Sequence, residues 1–367
     1  MKKIKILYIT YNLGLGGQEK QLLELVNNLD LSAFEPKILP ITTNLERMPY
    51  IKNDFLFYNK MENKNKFGRL IRIIKTIKEF KPDIIHSFDA TSNIYSGISL
   101  KFFRIPLIGG FNGSYIKSKI TKLLNRIFST NFEKIICNSY AGFNYLKNNC
   151  KIQEEKLKVI ENGFDFKIME NPPFKISNLE EILGKEIKNP IVGSVGKLDE
   201  NKDPLTFIKA AEIVHKEFHQ AIFCIIGNGE YKGIVENYLR EKKMENYFYL
   251  IPKRIDAPWL IKDFTIGVLS SKFEGFPNVL LEYMYWRKPI VTTKAGDCER
   301  IVIDKDSGFV VERGNFLDFA NAIIFLLASK EKQEFMGKRG REILEEKYGI
   351  ERYAKDFADL YLDIIGT

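Results

Sequence analysis

Glu274 and Glu282 both fall in the stretch Ser270-Ser-Lys-Phe-Glu-Gly-Phe-Pro-Asn-Val-Leu-Leu-Glu282. The apolar run from Thr265 to Leu269 predicts a buried strand before it. Pro277, ahead of Val279, Leu280, Leu281, Tyr283 and Met284, predicts a helix with proline in its first turn. The two carboxylates then stand at different heights around one strand-to-helix turn. The amides of Gly275, Phe276, Asn278 and Val279 point into the same space, where the helix dipole favours an anion. Carboxylates take hydroxyls and amides take phosphates, so a nucleotide-sugar suits the turn. The alternative is that Glu274 only complements the helix N-terminus and Glu282 is a solvated helix residue.

Further candidates follow other apolar runs. In Pro190-Ile-Val-Gly-Ser-Val-Gly-Lys197-Leu-Asp-Glu-Asn-Lys202, both lysines fall on one predicted strand-to-helix loop. There they either converge on a diphosphate or remain surface lysines. Lys253 and Arg254 follow the run at Tyr249. Near the start, Lys3 to Thr10 predicts a strand, and Gly14, Gly16 and Gly17 form a turn into a helix carrying Leu22, Leu23, Val26 and Leu29. This is a poor dinucleotide fingerprint, because Glu19 stands where the third glycine belongs. His86 and Asn112 close two further predicted strands, and Asn162-Gly163 forms a polar turn. His86 is read either as a site residue or as a satisfied structural histidine.

No metal or cofactor is expected. Asp304-Lys-Asp306 is formally a D-x-D pair, but it lies in a turn that favours Asp and Gly for local reasons. His215 and His219 share a predicted helix face and lack the glutamate that a zincin motif places after its first histidine. The cysteines at 137, 150, 224 and 298 form no C-x-x-C pair, a usage that places the chain in the reducing cytoplasm.

The 367 residues suit two domains, and no apolar run approaches a membrane span. The net charge of +9 is uneven: residues 1–165 hold 26 Lys and Arg against 15 Asp and Glu. An anionic partner is therefore expected for the first half, either membrane lipid or nucleic acid. Two segments alternate apolar and cationic residues with helical period. In Phe67 to Lys78 the apolar face is read as core. In Ile116 to Phe128, Lys117, Lys119, Lys122 and Arg126 leave a membrane-surface helix and an ordinary solvated face both open. Strands alternating with helices in both halves predict two parallel α/β sheets, with ligand at the carboxyl ends of the strands. Residues 166–190, with Pro172-Pro173, read as a linker.

Glu274-Gly-Phe-Pro-Asn-Val-Leu-Leu-Glu282, with Pro289-Ile-Val-Thr-Thr and Gly296 behind it, resembles the E-x7-E signature of the GT4 family of retaining glycosyltransferases. The similarity extends to Gly16-Gly-x-Glu19, Gly196-Lys197 followed by Lys202, Gly227-x-Gly229, Cys137-Asn-Ser139 and Asn162-Gly-Phe-Asp165. It implies the GT-B fold: two Rossmann-like domains, 1–168 for the acceptor and 169–349 for the donor, facing across a cleft, with a C-terminal helix, 350–367, returning to the first. It implies metal-free transfer from a nucleoside-diphosphate sugar, UDP-linked, to a lipid-linked or saccharide acceptor in surface-polysaccharide assembly.

By the resemblance Lys197 and Lys202 face the departing diphosphate, Glu274 the sugar and Glu282 the ribose. Lys253 and Arg254 lie near the base, Gly16 and Gly17 near the phosphates, and His86, Asn112 and Asn162 in the acceptor region. The sequence departs from the family with Asn112 in place of a histidine and Lys197 in place of an arginine. The expected partners are donor, acceptor and an anionic membrane surface on its cytoplasmic side, with no nucleic acid. Rival readings are a non-catalytic sugar-nucleotide-binding protein of the same fold and a UDP-sugar epimerase.

Overall fold

The computed structural model describes residues 2–42, 44–46, 50, 53–56, 65–99 and 102–366. Met1 and Thr367, at the outer ends of the expected first domain and last helix, lie outside them. The chain divides into two compact units, Met1–Phe166 with Gly349–Thr367, and Lys167–Tyr348, each built on a six-stranded parallel sheet.

The first sheet runs in the order β2-β1-β3-β4-β5-β6, from β1 (Ile4–Thr10), β2 (Phe34–Pro40), β3 (Ile84–Ser87), β4 (Leu107–Phe111), β5 (Lys134–Cys137) and β6 (Leu157–Val159). Its strands read as nearly continuous apolar runs because both faces are covered. Ile6 and Tyr8 turn to one face and pack with Leu22 and Val26 of α1 (Gly17–Asn28) and with Tyr353, Phe357 and Tyr361 of the C-terminal helix, Ile350–Gly366. Leu7 and Ile9 turn to the other face, against Ile73 and Ile77 of α2 (Lys66–Phe80) and Leu146 of α5 (Tyr140–Cys150). Between these last two lie α3 (Ala90–Ser99) and α4 (Lys119–Phe128). The sequence reading missed β2. Pro36 and Pro40 interrupt its pattern, and they are tolerated because β2 is an edge strand, with no neighbour needing a second row of donors.

The second sheet runs β12-β11-β10-β7-β8-β9. Its strands are β7 (Ile191–Val195), β8 (Ile222–Ile226), β9 (Phe248–Ile251), β10 (Ile266–Leu269), β11 (Ile290–Thr293) and β12 (Gly308–Val311). The order reverses between β7 and β10, so the loops leaving these two strands open beside each other, where α/β sheets place their ligands.

Residues 166–190 are not an open linker. They carry the helices Phe166–Glu170 and Leu179–Leu183, and the segment is held to the second unit. Trp259 Nε1 donates to Met169 O at 2.8 Å and Leu179 N to Asp263 Oδ2 at 2.9 Å. The helix Pro204–Glu217 ends before His219, so the two histidines do not share a helix face; His215 stacks on Tyr247, ring centroids 3.5 Å apart.

Candidate functional site

β10 ends at Leu269, and the next residues turn polar. Ser271, fully buried, donates its hydroxyl to Glu274 Oε1 at 2.5 Å, and Lys202 Nζ reaches the same oxygen at 2.5 Å. Glu274 is only 8% exposed, and a carboxylate that dry needs such donors. Both meet Oε1, and Oε2 has no hydrogen-bond partner among the described residues. The loop after β7 is clipped to the turn after β10. Ser270 Oγ donates to Asp203 O at 2.9 Å and to Lys202 O at 3.2 Å, Lys272 N donates to Asn201 O at 2.7 Å, and Thr293 Oγ1 donates to Ser271 O at 2.5 Å.

Glycine 296 sets the far wall. Its φ is +56°, and a Cβ there would stand 2.0 Å from the carbonyl oxygen of Glu274. Beneath the turn, Cys298 is fully buried, and burial together with the neighbouring Glu274 charge raises its pKa, so the thiol stays neutral.

The following helix is Asn278–Tyr285; Pro277 is its N-cap, one residue outside the first turn where the sequence reading put it. Its first-turn amides point out of its N-terminal end. Glu282 is 6% exposed, which excludes the solvated alternative. Next to it, Tyr283 ties the helix to the switch point: its hydroxyl donates to Val268 O at 3.0 Å and accepts from Val195 N at 3.2 Å. Ser194, Gly196, Lys197, Lys202 and Ser270 line a depression floored by Phe207 and Ile225. Lys197 is exposed, and no ion pair with another described residue holds it.

The structure thus brings Lys197, Lys202 and Glu274 together and carries Glu282 on the helix that leaves their turn. Ser271, which clamps Glu274, had no assigned role; its signal was its place two residues past a buried strand. Arg254 is otherwise engaged. Its guanidinium pairs Asp256 through two bonds of 2.8 Å and donates to Ser177 Oγ at 3.0 Å, so it anchors residue 177, while Lys253 beside it is exposed.

In the first unit, Gly16 is the N-cap of α1 and Glu19 folds back over it, with Oε2 2.2 Å from where a Gly16 Cβ would sit. Gln21 of the same helix clamps Gly163, donating to its carbonyl at 2.8 Å and accepting from its amide at 2.9 Å. The glycine turn and the Asn162-Gly163 turn are thereby linked. Asn112, half-buried just past β4, donates through Nδ2 to Phe88 O at 2.8 Å.

His86 does not join these residues. It is 1% exposed and packed among the rings of Tyr8, Phe88 and Phe357. Tyr8 OH donates to Tyr361 OH at 2.9 Å, and the Tyr361 hydroxyl meets His86 Nδ1 at 2.8 Å. Burial lowers the histidine pKa to about 3, so the ring is a neutral structural group beneath the C-terminal helix.

Asp304 and Asp306 serve local structure: Asp304 Oδ1 accepts from Val310 N at 2.9 Å, and Asp306 pairs Arg339 at 3.0 Å. Among the described residues no group of three or more His, Cys, Asp or Glu could hold a metal ion.

The family model described as Glycosyl transferases group 1 matches residues 175–343, and that described as Glycosyltransferase Family 4 matches residues 15–167. The chain is 25% identical over 307 residues to the UDP-Gal:alpha-D-GlcNAc-diphosphoundecaprenol alpha-1,3-galactosyltransferase of Escherichia coli, covering 81% of this chain and 79% of that protein. It is 27% identical over 305 residues, 77% of each chain, to a Campylobacter jejuni alpha-1,4-N-acetyl-D-galactosaminyltransferase named for a diNAcBac-PP-undecaprenol-linked substrate. In fold it is similar to Anabaena HepE solved with UDP-glucose, at TM-score 0.84 and 19% identity over 98% of this chain and 100% of that one.

Proposed function

The chain belongs to the GT4-like glycosyltransferases, and on that premise we propose that it moves a sugar from a UDP-sugar to a lipid-linked or saccharide acceptor in surface-polysaccharide assembly, retaining the anomeric configuration without a metal ion. The observation that carries the reading is the convergence of Lys202 and Ser271 on Glu274 at the β7/β10 switch point, with Lys197 lining the same depression as Lys202. Support for the donor and the acceptor comes from the relatives, one named for UDP-Gal and an undecaprenol-linked diphosphate and another protein of the same fold solved with UDP-glucose.

In this reading the diphosphate lies against Lys197, Lys202 and the first-turn amides of the Asn278–Tyr285 helix, which stabilise the charge that grows on the leaving group. Glu282 accepts from the ribose hydroxyls. Glu274, held by two donors on Oε1, offers Oε2 to a hydroxyl of the transferring sugar. The bond from the anomeric carbon to the diphosphate breaks and the bond to the acceptor oxygen forms on the same face. The acceptor proton passes to the departing phosphate oxygen, giving the glycoside and UDP. Catalysis then rests on positioning and electrostatics, and no second protein carboxylate has to flank the bond as in a glycosidase.

The test is UDP release from UDP-sugars with and without a polyprenyl-diphosphate-linked saccharide, in EDTA, with the product linkage read by NMR. Acceptor-dependent release and a retained configuration are expected. Release without acceptor would favour the epimerase reading, and binding without turnover the non-catalytic one.

A further inference from the structure

We propose that the outer face of α4 in the first unit docks the protein onto an anionic lipid bilayer. A helix on a globular domain normally turns its apolar stripe inward. The inner side of α4 is mixed: Phe128 packs against the core, while Asn125 is buried, donating to Ala90 O at 3.1 Å and Thr121 O at 2.9 Å and accepting from Asn93 at 3.3 Å. Ile120, Leu123 and Ile127, spaced to share one stripe, are instead 73%, 55% and 52% exposed. Water gives such a stripe no stabilisation; a layer of acyl chains does.

Charge selects the partner. Lys117, Lys119 and Arg126 flank the stripe and are exposed, whereas Lys122 is drawn back over the Tyr145 ring at 5.8 Å. Residues 101–150 hold eight Lys and Arg and a single acidic residue, Glu133. A second copy docked symmetrically on this face would set these cations against themselves. Anionic headgroups complement them.

Position agrees with the charge. α3 packs against both α2 and α4, and α2 adds exposed Phe67 and Ile71 near its N-terminus. α4 starts shortly after Asn112 at the carboxyl end of β4, and α2 ends just before β3 begins, so both helices start at the carboxyl edge of the sheet. This part of the surface therefore adjoins the strand ends, where a membrane-borne acceptor would have to arrive. The docking surface itself does not depend on the transferase reading, because vesicle binding needs no donor.

The experiment is co-sedimentation of the full chain with phosphatidylglycerol/phosphatidylethanolamine vesicles and with pure phosphatidylcholine vesicles, alongside light scattering. Wild type is expected to sediment with the anionic vesicles at least tenfold more than with the neutral ones. The variants Ile120→Ser/Leu123→Ser/Ile127→Ser and Lys117→Gln/Lys119→Gln/Arg126→Gln are each expected to lose that binding at least tenfold with an unchanged circular-dichroism spectrum, since all six side chains face solvent. Unchanged binding by either variant, equal binding to neutral vesicles, or no binding by wild type would overturn the proposal. A dimer that the serine variant dissolves, without vesicle binding, would assign the face to a second copy. Failure here with UDP release intact would leave the transferase reading standing.

Discussion

Ser271 donates to the same oxygen of Glu274 that Lys202 approaches, yet it has no reach of its own to a ligand. It is a positioning residue, and a lost hydrogen bond to a charged group is worth about 1.5 to 3 kcal/mol. Ser271→Ala is therefore expected to lower kcat roughly ten- to hundredfold while KM for the donor changes little, because the lysines remain; an equal loss in Ser271→Thr would contradict the role of the hydroxyl. His86 makes a different prediction. Its pKa is lowered from 6.5 to about 3 by burial, so the unfolded chain binds a proton that the folded chain refuses. Its contribution is complete above about pH 6.5 and is lost at about 1.4 kcal/mol per pH unit as pH falls toward 3. Urea titrations across this window should show a shallower decline for His86→Gln; parallel slopes would place the acid sensitivity elsewhere. In the sequence, His86 was ambiguous, because nothing in Asp83-Ile-Ile-His86 announces that Tyr361, far along the chain, folds over it.

At the scale of elements, the turn between β10 and the Asn278–Tyr285 helix depends on a residue outside it. Gly296 lies in the left-handed region with its α-carbon against the Glu274 carbonyl, whereas Gly314, at φ +74°, has open space around it. Both alanine variants incur the left-handed backbone cost of about 1 to 2 kcal/mol. Gly296→Ala should also displace Glu274 and weaken donor binding, and Gly314→Ala should not; equal donor affinities in the two variants would show that the contact does not set the turn. The turn itself was legible, since an apolar strand, a polar pair, a glycine and a proline-led helix each carry a local signal. β2 was not, because Pro36 and Pro40 mimic a loop wherever a chain cannot be known to lie at a sheet edge. The segment 166–190 misled for the same reason: its prolines and mixed charge look like a linker, and its packing rests on distant Trp259, Asp263 and Arg254.

For the whole molecule, the sequence carried the two parallel sheets through their alternating periods and the switch-point placement of Lys197, Lys202 and Glu274 through the loops they occupy. What it could not carry was pairing at a distance. Arg254 looked free to meet a base, and it is spent on Asp256 and Ser177. α4 looked like any basic amphipathic helix, and the structure leaves Ile120, Leu123 and Ile127 exposed while Asn125 is buried. The basic excess of the first half and the two lysines lining one depression in the second thus belong to two separate proposals, an anionic surface for one unit and an anionic ligand for the other.

The central claim is that the β7 and β10 loops hold a nucleoside-diphosphate sugar. Calorimetric titration of UDP and UDP-sugars into wild type, Lys202→Ala and Glu282→Ala tests it most directly. Each variant should bind about 1 to 3 kcal/mol more weakly than wild type, the scale of a lost charge-assisted hydrogen bond, with the wild-type affinity unaltered by EDTA. Affinities that are the same in all three proteins, or no binding of any uridine nucleotide to wild type, would contradict the account.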